Sequence, residues 1–159
     1  MKTFPLAALL PFSLALCLSL EAHPTADSGL RMNVEAFELA GTLISDGRFV
    51  ADHNGRWRND HPTRSQENAF IRERGFAEYS KWYLAIDYRH PANTKARYKF
   101  PFGDFRDVHR CGLLAVKARA RQYGYHEIDA AASRLLDLLD QASAHVLRNA
   151  SINSGKSSL

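Results

Sequence analysis

The chain has 159 residues, 45% of them hydrophobic, which is enough for one domain with a real core. Its 21 Lys and Arg against 17 Asp and Glu give a net charge of +4. This modest excess favours anionic surfaces such as cell walls, acidic glycans, nucleic acid or lipid headgroups, and is also ordinary for a soluble protein. Only Cys17 and Cys111 are present, and the first lies in a segment expected to be removed, so an intramolecular disulfide and a zinc ribbon or finger are excluded for the mature chain.

That segment comes first. Lys2, an apolar run from Phe4 to Leu20 and the small residue Ala22 read as a signal peptide over residues 1–22, cut after Ala22. Pro5 and Pro11 interrupt the run and no second apolar span follows, so no transmembrane segment remains after cleavage. The expected location is extracellular or periplasmic. Cys17 as a lipidated cysteine is disfavoured because bulky Leu16 precedes it.

Residues 23–31 mix Pro, Ser, Asp and Gly without apolar periodicity and predict a flexible leader, ahead of one globular domain over residues 32–148. Val34, Phe37, Leu39, Leu43 and Ile44 predict a helix stopped at Ser45-Asp46-Gly47. Asp52 to Arg64 is polar, with Trp57 as its one anchor, and reads as a loop. Thr63 or Ser65 then caps a helix that runs through Phe70 and Ile71 to Gly75.

The aromatic stretch Trp82 to Tyr88 predicts a strand, Arg89 to Asn93 a turn, and the alternation of Tyr98, Phe100 and Phe102 with Arg97, Lys99 and Pro101 a second strand. Pro101 marks that second strand as an edge or as the end of one. Asp104 or Asp107 is expected to cap a helix through Val108, Cys111, Ala115 and Ala118 that ends at Gly124. A second helix follows, with the seam Ile128, Ala132, Leu135, Leu139, Ala142 and Val146, broadened by Leu136 and Leu138. The short connection pairs these two helices as an αα-hairpin. Residues 149–159 read as a disordered tail, in which Asn149-Ala150-Ser151 is a glycosylation acceptor in a eukaryotic host. The expected fold class is α+β, a helix-rich single domain with a short β-hairpin and a C-terminal αα-hairpin.

Trp82-Tyr83-Leu84-Ala85-Ile86-Asp87, Thr94 to Asp104 (TKARYKFPFGD) and Val108-His109-Arg110-Cys111-Gly112-Leu113 resemble segments of small uncharacterised bacterial and phage-associated proteins, some joined to phage prohead-protease proteins. The resemblance spans residues 82–139, and Ala85 stands where it expects glycine. It implies a compact α+β unit without an agreed activity, and it transfers no protease residues.

Two kinds of chemistry can be drawn from these elements. His109 and Cys111 near a helix start suggest a nucleophile whose thiolate is favoured by the helix dipole and Arg110, yet residues two apart on one helix point away from each other, so the pair fails unless the helix begins later. Cys111 is then better read as a small buried hydrophobe. A small hydrolase using His109 with Asp87 or Asp104 is the catalytic alternative, although Asp104 and Asp107 are equally explained as helix caps. The seven histidines show no metal-binding spacing, so no metal and no cofactor is assigned. Cleavage after Ala22 would expose His23 as a copper ligand of the kind used by secreted polysaccharide monooxygenases, which the two C-terminal helices argue against. The stronger lead is basic: Arg106, Arg110, Lys117 and Arg121, widened by Arg119, line one helical face with Tyr98, Lys99 and Tyr123 nearby in sequence. The expected function is a secreted binding protein that recognises an anionic polymer or a host or competitor surface through that face.

Overall fold

The computed structural model describes residues 29–156, so the signal segment, Cys17 and His23 lie outside the described residues. The first described element is a correction. Leu30–Met32 is a strand, β1, so the predicted flexible leader ends before Leu30. It pairs antiparallel with β3 (Tyr83–Asp87), Leu30 opposite Asp87 and Met32 opposite Ala85. Three residues are too few to show a period, and only the waiting edge of β3 makes them a strand.

Between them, α1 (Val34–Ser45) buries Ala36, Ala40, Leu43 and Ile44 and leaves Val34 exposed. It stops at Asp46 and Gly47 as predicted. Asn33 precedes it and is 5% exposed. Its side chain makes no cap bond. Instead Nδ2 donates to the carbonyls of Ser80 (2.9 Å) and Tyr83 (3.0 Å), fastening the start of α1 to the start of β3. A two-residue strand, β2 (Phe49–Val50), follows, and the polar loop beyond it holds one short helix, α2 (Trp57–Asp60).

The next helix, α3 (Arg64–Ser80), opens on a capping box: the Thr63 hydroxyl accepts from the Gln66 N–H while Gln66 Oε1 accepts from the Thr63 N–H at 2.8 Å. Gly75, at φ 80 and ψ 173, breaks it into two helical pieces, at the residue where the sequence predicts the helix to stop. The second piece brings Tyr79 into the core beside Tyr83 and Tyr98. Burial raises both the Tyr79 and Tyr83 hydroxyl pKa values. Tyr83 donates to Glu67 Oε1 at 3.0 Å, and Lys95 pairs with Glu67 Oε2 at 2.7 Å.

The predicted β-hairpin is present. β3 pairs antiparallel with β4 (Tyr98–Pro101), Tyr83 opposite Pro101 and Ile86 opposite Tyr98, and the sheet order is β1-β3-β4. β4 is therefore an edge strand, and Pro101 is its last residue. The connecting loop is closed by Arg97 Nη1 on the His90 carbonyl (2.7 Å) and by the Tyr98 hydroxyl on that of Ala92 (2.6 Å).

The helix start predicted at Val108 is displaced. Val108–His109 is a strand, β5, paired in parallel with β2, and α4 spans Arg110–Gln122. Asp104 and Asp107 do not cap α4. Asp104 Oδ1 accepts the N–H groups of Arg106 (3.0 Å) and Asp107 (2.7 Å), which closes a tight turn ahead of β5. The buried residues of α4 are Cys111, Gly112, Leu113, Val116 and Ala120, while Ala118 faces solvent. The last helix, α5, runs His126–Lys156 and continues through most of the segment whose composition suggests a tail. It packs along α4 and α1, burying Ile128, Ala132, Leu135, Leu136 and Leu139, with Val146 exposed beyond the core. The architecture is thus α+β, with an αα-hairpin closing a small antiparallel sheet. No described helix is long and apolar enough to cross a membrane.

Candidate functional site

The parallel pairing of β2 with β5 sets Val50 opposite His109. The same register carried two residues further brings Asp52, from the polar loop, against Cys111 at the start of α4. Asp52 Oδ1 accepts the Cys111 N–H at 2.6 Å, and Oδ2 accepts from the Cys111 thiol at 3.0 Å and from His109 Nδ1 at 2.8 Å. His109 is the N-cap residue but makes no cap bond with its side chain. Asp52 does that work from a distant segment, placing a carboxylate at the positive end of α4.

This arrangement bears on both readings of the pair, and Cys111 is buried, as the preferred reading expects. His109 and Cys111 do not diverge on one helix, because the helix begins between them and both reach the same carboxylate. Nor is the thiolate favoured: burial, then the hydrogen bond to Asp52 and its negative charge, push the Cys111 thiol up to about 12. Burial also opposes ionisation of Asp52, but the bonds it accepts from Cys111 and His109 outweigh burial and hold its carboxyl below the usual carboxylate range.

The far side of the His109 ring is unusual. The residue is 8% exposed, and Nε2 has no hydrogen-bond partner among the described residues. Asp104 Oδ2 lies 3.5 Å from it, and the Trp57 ring lies 6.0 Å from the imidazole. Asp60, at the end of α2, adds a second carboxylate to the group. One donor atom from each of Asp52, Asp60, His109 and Cys111 falls within 4.8 Å of the others.

Of the two carboxylates expected to serve His109, Asp104 stands near it and Asp87 is committed elsewhere. Asp87 is 2% exposed at the end of β3, where Arg89 grips it through Nε (2.8 Å) and Nη2 (2.7 Å). The partner that does bond His109, Asp52, carries no local signal. It sits 59 residues from Cys111 in a polar loop, and only the tertiary pairing of two short strands joins them.

The predicted basic stripe is divided. Arg106 precedes β5 and is not on the helix. Arg110 is engaged by Asp140 of α5 through Nε (2.7 Å) and Nη2 (3.3 Å), and Arg121 by Asp129 at 3.4 Å. Lys117 is half-buried and has no ion pair among the described residues. Arg119, on the next face, lies over the Tyr123 ring at 5.1 Å. That face borders a cavity of about 540 Å³ lined by Arg89, His90, Lys99 and Arg119, and also by the Asp87 carboxylate that Arg89 holds. Phe100, Tyr123 and Tyr125 supply its aromatic wall, and Trp57 closes it on the side of α2. Phe100 holds a left-handed backbone, φ 65, which breaks the strict alternation of β4. Its ring meets Tyr125 edge-on at 6.0 Å.

No protein-family model, no curated protein and no solved structure matches this chain.

Proposed function

We propose that this chain is an exported binding protein that takes an anionic ligand bearing a flat apolar group into the cavity bordered by β4 and α4. The observation that carries this reading is the pairing of Lys99 and Arg119, neither bonded to a carboxylate among the described residues, with the aromatic wall of Phe100, Tyr123 and Tyr125. Cations with no internal counter-charge attract a phosphate or carboxylate, and ring faces beside them favour a planar body attached to it. The volume is within the range of about 300–1,000 Å³ usual for small-ligand sites. Compared with the stripe read from sequence, the recognition surface moves one helical face over. Arg110 and Arg121 are neutralised by α5, so Arg119 and Lys99 remain to meet the ligand. Export rests on residues 1–22 alone.

A hydrolase built on His109 is the weaker reading. Its free nitrogen is buried beside Asp104 with no hydroxyl bonded to it, and the neighbouring thiol stays protonated.

Fluorescence titration with a nucleoside monophosphate and with an aromatic carboxylate tests the proposal. Wild type should saturate with one of them, more weakly at high salt. Lys99→Glu/Arg119→Glu should weaken binding by roughly 100-fold or more, because two charge-assisted contacts are lost. Lys117→Glu/Arg121→Glu should bind as wild type does. The reverse pattern would return the site to the stripe, and no salt-sensitive binding to either probe would end the proposal.

A further inference from the structure

We infer that Asp52, Asp60, His109 and Cys111 form a binding site for a divalent transition metal, Zn²⁺ by the chemistry of the donors. The four come from three separate places: the loop after β2, the end of α2, and the junction of β5 with α4. They supply one sulfur, one imidazole nitrogen and two carboxylate oxygens. A thiolate with an imidazole selects Zn²⁺ over Mg²⁺ or Ca²⁺, which prefer oxygen alone, and four protein donors make a closed site that holds structure together.

The spacing fits. Bonds of about 2.0–2.3 Å in a tetrahedron place donors roughly 3.3–3.8 Å apart. The contacts already formed are shorter, at 2.8 Å and 3.0 Å, and the whole set falls within 4.8 Å. Small side-chain rotations about Asp52 thus separate the donors it now bonds and draw Asp60 inward.

A second observation points the same way. His109 is buried with Nδ1 on the Asp52 carboxylate, while its Nε2 has no hydrogen-bond partner among the described residues. When Nδ1 gives its lone pair to a metal, the imidazole proton resides on Nε2. Asp104 Oδ2, 3.5 Å away, is then placed to accept it, the carboxylate–histidine–metal arrangement that orients such ligands. Metal binding thereby converts the one unsatisfied nitrogen of the ring into a paired donor. The proton balance is simple: the Cys111 S–H bond breaks, sulfur binds the metal, and one proton passes to the buffer for each ion bound. The ion would tie the loop carrying Trp57 to the start of α4.

Titration of the full chain with Co²⁺, followed by Zn²⁺, tests the site. One Co²⁺ per chain should give tetrahedral visible bands and a thiolate-to-cobalt charge-transfer band, with one proton released and both bands removed by Zn²⁺. Cys111→Ser should abolish the charge-transfer band. Among the described residues the Asp60 side chain bonds only Arg56, itself exposed, so Asp60→Asn should keep the fold by circular dichroism while lowering Zn²⁺ affinity at least tenfold. Co²⁺ spectra without a thiolate band, or Asp60→Asn binding Zn²⁺ as tightly as wild type, would overturn the assignment. Neither outcome bears on the anionic cavity, whose probes bind without metal.

Discussion

Asp87→Asn should destabilise the fold by about 2 kcal/mol at neutral pH, a figure set between two limits by the exposure of the partner. Hydrogen bonds to charged groups contribute about 1.5–3 kcal/mol net, and breaking a fully buried ion pair costs about 3–5 kcal/mol because one charge is stranded. Asp87 is 2% exposed and accepts from Arg89 Nε, Nη2 and backbone N–H at 2.8, 2.7 and 3.2 Å, so the first contribution applies in full. The Arg89 side chain is 63% exposed and rehydrates when its partner becomes neutral, so the stranded-charge penalty does not apply. The pH dependence has a definite sign. Hydrogen bonds from Arg89, then its charge and that of His90, outweigh burial and hold the Asp87 carboxyl well below the usual carboxylate range. A group depressed in this way contributes fully above its unfolded value of about 3.9 and loses that contribution as pH falls through the folded value. The stability gap between wild type and Asp87→Asn should therefore be present at neutral pH and close progressively below about pH 4. Urea denaturation followed by tryptophan fluorescence, to which Trp82 at the entry to β3 contributes from the core, measures it. Equal midpoints at neutral pH would show that the pair holds nothing, and a gap unchanged near pH 3 would assign it to shape instead of charge.

The parts of this fold that local patterning determines were legible, and those created by contact between distant segments were not. The seam of α5 could be read because Ile128, Ala132, Leu135 and Leu139 repeat at helical spacing and are large enough to define a face. On α4 the same method misplaced the face. Ala115 and Ala118 satisfy the period but are small and tolerated anywhere on a helix, whereas Leu113 and Val116 bury the surface that matters. Val108 misled for a related reason. It is fully buried, as a helical stripe requires, but β2 buries it equally well as a strand, and burial alone does not separate the two. The hairpin of β3 and β4 was visible through its aromatic alternation and its Arg89–Asn93 turn. The donor group around His109 was half visible: His109 and Cys111 stood out, while Asp52 and Asp60 looked like solvated loop charges until β2 and β5 paired. Charge was the least legible property, since the carboxylates that neutralise Arg110 and Arg121 lie on a different helix.

Leu139→Ala and Leu135→Ala each remove a side chain at most 1% exposed and should cost about 2–5 kcal/mol; an unchanged urea midpoint in either would mean that the α4–α5 interface is misassigned. Gly103→Ala should destabilise by about 1–3 kcal/mol through overpacking. A Cβ there would stand 2.5 Å from the Asp107 carbonyl oxygen and 2.7 Å from the Trp82 ring, and neither can withdraw, since the first is backbone and Trp82 is 7% exposed in the core. Gly103 bridges to Val108 and precedes the turn in which Asp104 receives the Asp107 N–H, so the strain should pass to the position of Asp104 relative to His109. A lowered urea midpoint with altered Trp82 fluorescence is the expected result. A Gly103→Ala chain as stable as wild type would mean that the approach of the Asp107 carbonyl is not fixed, and that the turn holding Asp104 beside Nε2 is free to relax.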